Sequence, residues 1–148
     1  MAMKRVIFAC VHNAGRSQMA AALFNNLALK APPVPGAPAA GRWVAVSAGT
    51  TPAARVHPEV VEAMREVGID LSSATPQKLT LELATGAGRL VTMGCGDQCP
   101  YVPGLATEDW PLEDPKGQPI ERVRQIRDEI TQRVRDLAAR LSAAGGAD

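Results

Sequence analysis

Cysteine and arginine are the side chains best suited to covalent and anion chemistry, and Cys10 and Arg16 stand with five residues between them. The segment Cys10-Val11-His12-Asn13-Ala14-Gly15-Arg16-Ser17 follows a short apolar run and precedes a stretch of helical spacing. A loop between a strand's C-terminal end and a helix N-terminus presents unpaired N–H groups and the positive end of the helix dipole, so it binds anions. The intervening residues can wrap a tetrahedral oxyanion, and Arg16 adds a planar fork of donors. The same field favours a thiolate over a thiol, which would make Cys10 a nucleophile. Ser17 can donate to the sulfur. Asn13 can bond backbone groups and adopt a left-handed conformation, and Gly15 allows close approach of backbone to a ligand. His12 sits inside the loop and can contact the anion, although a solvent-facing side chain is the favoured reading.

These residues need a frame to hold them. Lys4 to Ala9, rich in β-formers and ending at Cys10, reads as a buried strand. From Ser17 to about Lys30, apolar residues recur at helical spacing: Met19, Ala20, Leu23, Phe24 and Leu27. Ala31 to Gly41 is a Pro/Ala/Gly-rich surface insertion. Trp43 to Ser47 is a second strand, and Pro58 starts a helix that Gly68 ends. Lys78 to Thr85 fits a short helix or a strand. Arg89 to Met93 is a third strand, and Leu105 to Trp110 a short last one. Pro119 begins the clearest helix, with the stripe Val123, Ile126, Ile130, Val134, Leu137 and Leu141. The tail after Ser142 should fray. Strands alternating with helices imply an α/β fold, a single doubly wound domain over 1–148 with a four-stranded parallel sheet flanked by helices.

Composition narrows the function classes. The 148 residues suffice for one domain with a real core. A net charge of +1 and 3% aromatic residues give no bulk case for nucleic acid, a membrane surface or base stacking. The N-terminus has too short an apolar run for a signal peptide, and no window approaches a bilayer span, so the reading is a cytoplasmic monomer. Three cysteines, Cys10, Cys95 and Cys99, are too few for a disulfide framework. In a reducing cytosol they are catalytic, redox or metal-binding. No second Cys/His pair completes a zinc set, so no metal is expected.

Cys95 follows the third strand directly. If that strand neighbours the first, a spacing of about 4.8 Å starts Cys95 near Cys10. On one helical turn, Cys95 and Cys99 would have Cα atoms about 6 Å apart, within disulfide range. His57, before Pro58, reads as a turn residue, and Trp43 and Trp110 as packing residues.

The Cys10 loop resembles that of the low-molecular-weight protein tyrosine phosphatase superfamily: Cys, two residues, Asn, two residues, Arg, Ser. Within it the chain is most similar to the three-cysteine, thioredoxin-coupled arsenate reductases. The matching stretches are Arg16-Ser17-Gln18-Met19-Ala20, Ser47-Ala48-Gly49, Val91-Thr92, Cys99-Pro100, Trp110 through Asp114-Pro115 to Gly117, and Val123 to Ile130.

The resemblance implies roles. Relatives use an aspartate before a proline as general acid, a pattern that falls on Asp114-Pro115. Asp109 and Glu113 nearby read as solvated loop charges. Three steps follow by analogy: Cys10 attacks arsenate with Asp114 as acid, Cys95 attacks the adduct and releases arsenite, and Cys99 takes the disulfide from Cys95. No bound cofactor is implied. The external reductant is thioredoxin or, in an alternative, mycothiol with mycoredoxin, and phosphate and sulfate are competing oxyanions. Familiar mycothiol-dependent relatives lack the two extra cysteines, which favours the internal cascade. A tyrosine phosphatase is a further alternative, but Lys116-Gly117 stands where its tyrosine pair would follow Asp-Pro. The familiar reductases also space their resolving cysteines further apart. Some relatives bind potassium through an acidic residue on the first helix, where this chain has Ala21.

Overall fold

The computed structural model describes residues 4–30, 43–94 and 104–145. Strand β1, Lys4–Cys10, has both faces covered. An interior strand of a parallel sheet has no solvent side to alternate toward, hence the unbroken apolar run Val6-Ile7-Phe8-Ala9. Helix α1 (Arg16–Lys30), strand β2 (Trp43–Gly49) and helix α2 (Pro58–Arg65) follow. Then come α3 (Leu81–Ala84), β3 (Arg89–Thr92), β4 (Thr107–Asp109) and α4 (Ile120–Gly145). The sheet order is β2-β1-β3-β4 and every pair is parallel, as the sequence pattern implies. The chain leaves β1 toward β2 but later extends the sheet on β1's other side. The C-terminal ends of β1 and β3 therefore flank the switch point, where open α/β sheets bind ligands.

Alternation along β1 divides the core. Val6, Phe8 and Cys10 join a large cluster with Met19 and Phe24 of α1 and the whole α4 stripe, Val123 to Leu141. Ile7 and Ala9 face a smaller cluster with Ala48, Leu79, Ala84 and Leu90. Phe8 is central, its ring centroid 6.2 Å from Phe24 and 5.5 Å from Trp110. Trp43 and Trp110 are both buried, so they pack as read.

Helix α2 is tied to α4 by charge. Arg124 Nη2 reaches Glu66 Oε2 at 2.7 Å, and Arg127 Nη1 donates to Glu66 Oε1 and Ala63 O, both at 2.8 Å. These arginines, Arg124 first, hold the Glu66 carboxyl down from 4.5 to about 2.

The 78–85 segment satisfies both of its readings in part. Lys78 makes a parallel bridge to Gly49, and Leu81–Ala84 forms a helical turn capped by Thr80 Oγ1, which accepts from Leu83 N–H. Helix α4 continues past Ser142 to Gly145, because Ala143 and Ala144 are strong helix formers. The insertion at 31–41 and residues 146–148 lie outside the described residues. Among the described residues no helix is long and apolar enough to cross a membrane.

Candidate active site

Cys10 ends β1 and is buried. The loop after it is braced from outside by the segment following β2. Thr50 N–H donates to Cys10 O at 3.1 Å, Thr51 N–H to Val11 O at 2.8 Å, and Ala53 N–H to His12 O at 2.9 Å. His57 N–H completes the series on Ala14 O at 2.9 Å. With these carbonyls engaged by the neighbouring segment, the loop's N–H groups are the donors that a strand–loop–helix turn offers an anion. Gly49 lets β2 come this close, since a Cβ there would lie 2.6 Å from Val11 O and 2.8 Å from Asn13 N.

Asn13 is the keystone of the loop. Its φ of 51° is left-handed, a conformation asparagine tolerates better than most residues. Gln77 N–H donates to Asn13 Oδ1 at 2.9 Å, and Gln18 Nε2 to the same oxygen at 3.3 Å. A backbone N–H can only donate, so the atom it meets is the amide oxygen, and Nδ2 is the group that donates to Ser17 Oγ at 2.7 Å. Ser17 therefore has its own proton to give to Cys10 Sγ, 2.9 Å away. The expected serine–sulfur contact is present, and an asparagine that itself accepts two hydrogen bonds holds the serine in place.

Arg16 is buried and oriented from three sides. Nη1 donates to Leu112 O at 3.0 Å, and Nη2 lies 3.8 Å from Asp114 Oδ2. Gly94 forms the third side: its φ is 94°, and a Cβ there would stand 2.5 Å from Arg16 Nη1. The turn carrying Asp114 thus lies against the arginine of the Cys10 loop. Asp114 Oδ1 accepts from Lys116 N–H at 3.0 Å, which fixes the turn locally, while the side chain stays 42% exposed and reachable.

Its two acidic neighbours are engaged elsewhere. Asp109 accepts from Thr92 Oγ1 at 2.7 Å, joining β4 to β3. Glu113 is paired with Arg122 at 2.9 Å, which holds its carboxyl below the usual range.

Two residues have roles the sequence does not reveal. Gly15 is required by the Asp114 turn as well, since a Cβ on it would meet Pro115 Cγ at 2.8 Å. His57 is more than a turn residue: its Cδ2 would lie 3.6 Å from that same Cβ, so its ring belongs to the rim of the site. Burial lowers its pKa, helped by Lys116 and His12 and opposed by Glu59 and Asp114. No local pattern marks His57, because loops far apart in the chain bring its neighbours together. Cys95 and Cys99 lie outside the described residues. The chain before them runs beside β1, with Met93 N–H donating to Ala9 O at 2.7 Å.

Comparison with known proteins agrees with this geometry. The family model for low molecular weight phosphotyrosine protein phosphatase matches residues 5–146. A provisionally named arsenate reductase of Halobacterium salinarum is 40% identical over 130 residues, covering 88% of this chain and 87% of that protein. The glutaredoxin arsenate reductase of a Synechocystis species is 36% identical over 143 residues, 95% of this chain and 100% of its own. Among solved structures, the thioredoxin-dependent arsenate reductase of Corynebacterium glutamicum superposes with a TM-score of 0.75 at 35% identity. That match covers 97% of this chain, which spans only 64% of the other. By motif, fold and similarity, the chain belongs to the low molecular weight phosphotyrosine protein phosphatase family, in the branch of its arsenate reductase relatives.

Proposed function

We propose that the chain is a cytoplasmic arsenate reductase that passes electrons from its own thiols to As(V) and is recharged by thioredoxin. The observation that carries this reading is the buried Cys10 thiol at 2.9 Å from Ser17 Oγ, inside a loop whose carbonyls are engaged outward. Arg16 and the loop N–H groups of residues 11–17 bind the oxyanion. Cys10 attacks arsenic as a thiolate, and Asp114 protonates the oxygen that leaves as water. Cys95 then attacks Cys10 Sγ. A disulfide forms, the sulfur–arsenic electron pair stays with arsenic, and As(V) departs as arsenite. Cys99 attacks Cys95 and frees Cys10, which leaves a Cys95–Cys99 disulfide for the external reductant. In sum, arsenic acid and two thiols give arsenous acid, one disulfide and water.

Three facts support arsenate over a phosphate ester: the pair Cys95 and Cys99, the absence of tyrosines after Asp114-Pro115, and relatives named for arsenate reduction. Thioredoxin is favoured because an internal pair of thiols makes a small-thiol partner such as mycothiol unnecessary. The Synechocystis relative favours glutaredoxin as a second reading of the reductant.

The test is arsenate-dependent NADPH oxidation coupled through thioredoxin, glutaredoxin or mycothiol with mycoredoxin. Cys10→Ser, Cys95→Ser and Cys99→Ser should each lose steady-state turnover, while Cys99→Ser still releases one arsenite per chain. Full thioredoxin-linked turnover by Cys95→Ser would overturn the cascade. Cys10-dependent hydrolysis of an aryl phosphate without arsenate turnover would favour the phosphatase.

A further inference from the structure

Residues at the start of α2 touch both loops of the site, and the steps above use neither of them. His57 is fastened to the Cys10 loop by its N–H on Ala14 O. Its ring and that of Pro115 flank the same face of Gly15. Two positions on, Glu59 Oε1 accepts from Gly117 N–H at 3.3 Å. The Asp114–Pro115 turn is thus bracketed, with Pro115 and His57 over the same face of Gly15 at one side and Gly117 on Glu59 at the other. His57 also occupies the N-cap position of α2 and makes no side-chain capping bond. Serine, threonine, aspartate or asparagine would stabilise the helix better there. The histidine's carbonyl serves the helix start, accepting from Val60 and Val61 N–H, but its side chain gives it no capping bond and lies instead over Gly15, where Pro115 of the acid turn also packs.

We propose that His57 and Glu59 are positioning residues for the acid, holding the Asp114–Pro115 turn against the Cys10 loop, and that the charge on His57 makes this arrangement respond to pH. The inference rests on Asp114 being the general acid. The charged groups facing His57 are Glu59 on its own helix, Asp114 and Lys116 on the acid turn, and His12 on the Cys10 loop. Burial outweighs these charges and makes the imidazole take up its proton less readily than an ordinary histidine. A cation at His57 attracts the Asp114 side chain and repels Lys116, so gaining the proton strains the turn that carries both.

The experiment is single-turnover release of arsenite by the reduced full chain, measured against arsenate concentration at several pH values. His57→Ala and Glu59→Ala should lower the maximal rate about tenfold, because small misplacement of a catalytic group is costly. Half-saturating arsenate should change by no more than about twofold, since the anion-binding groups are untouched. Glu59→Gln keeps an acceptor for Gly117 N–H and should restore most of the rate. His57→Gln, which cannot gain a charge, should gain on the wild type progressively as pH falls below 6.5. Asp114→Asn is the reference. If it is slow while both alanine variants match the wild type at every pH, the inference fails and the acid reading stands. If Asp114→Asn itself runs at the wild-type rate, the acid reading fails and takes the inference with it. Should His57→Ala not fold, as judged by circular dichroism, the His57→Gln pH profile and the Glu59 pair decide.

Discussion

At the scale of single residues, the site works by removing freedom from groups that would otherwise have it. Asn13 donates to Ser17 Oγ, so the one Ser17 proton is free for the Cys10 sulfur 2.9 Å away. Ser17→Ala should therefore lower kcat/KM for arsenate about 10- to 100-fold, the worth of a hydrogen bond to a charged group. Steady-state kinetics on a variant with unchanged melting temperature would check this. Gly94 acts in the opposite sense, by having no side chain where Arg16 needs room. Gly94→Ala combines left-handed strain of about 1–3 kcal/mol with a direct collision on the guanidinium. It should raise KM for arsenate about tenfold, because the displaced arginine binds ground state and transition state alike. An unchanged KM would show that Arg16 does not contact the anion.

At the scale of elements, α2 is the brace of the site: its start touches both loops, and its end is tied to α4. The tie is pH-dependent. Unfolding returns Glu66 from about 2 to its ordinary 4.5, so its contribution is complete above pH 4.5 and is lost as pH falls through about 2. Thermal melting of the wild type should decline over that window, and Glu66→Gln should lose this part of the decline. Gly49 is the matching device on β2. Gly49→Ala should push the braced loop apart and reduce turnover at least about tenfold, with a smaller effect on melting.

At the scale of the whole molecule, Phe8 joins β1 to α1 and to Trp110, so Phe8→Ala should cost about 3–5 kcal/mol. Calorimetry should then show a melting temperature lower by roughly 6–20 °C. This part of the fold was legible in the sequence. A central strand must be apolar throughout, and a long surface helix must carry one stripe, so β1 and α4 stand out unaided. The 78–85 segment was ambiguous because it is part bridge and part single turn, too short for either period to develop. Cys10, Asn13, Arg16 and Ser17 were legible because they lie within one turn of chain. The contact of Gly15 with the acid turn, and the place of His57 beyond a turn residue, were not legible because Pro115 is distant in sequence. The outward bonding of the Cys10 loop carries one more consequence. A cradle braced at the carbonyls of Cys10, Val11, His12 and Ala14 has little freedom to reshape itself around its guest, so it reads tetrahedral shape and negative charge, and phosphate satisfies both. On the proposed mechanism selectivity is then exercised after binding, because thiols reduce arsenate and not phosphate, and phosphate would be an occupant that leaves unchanged.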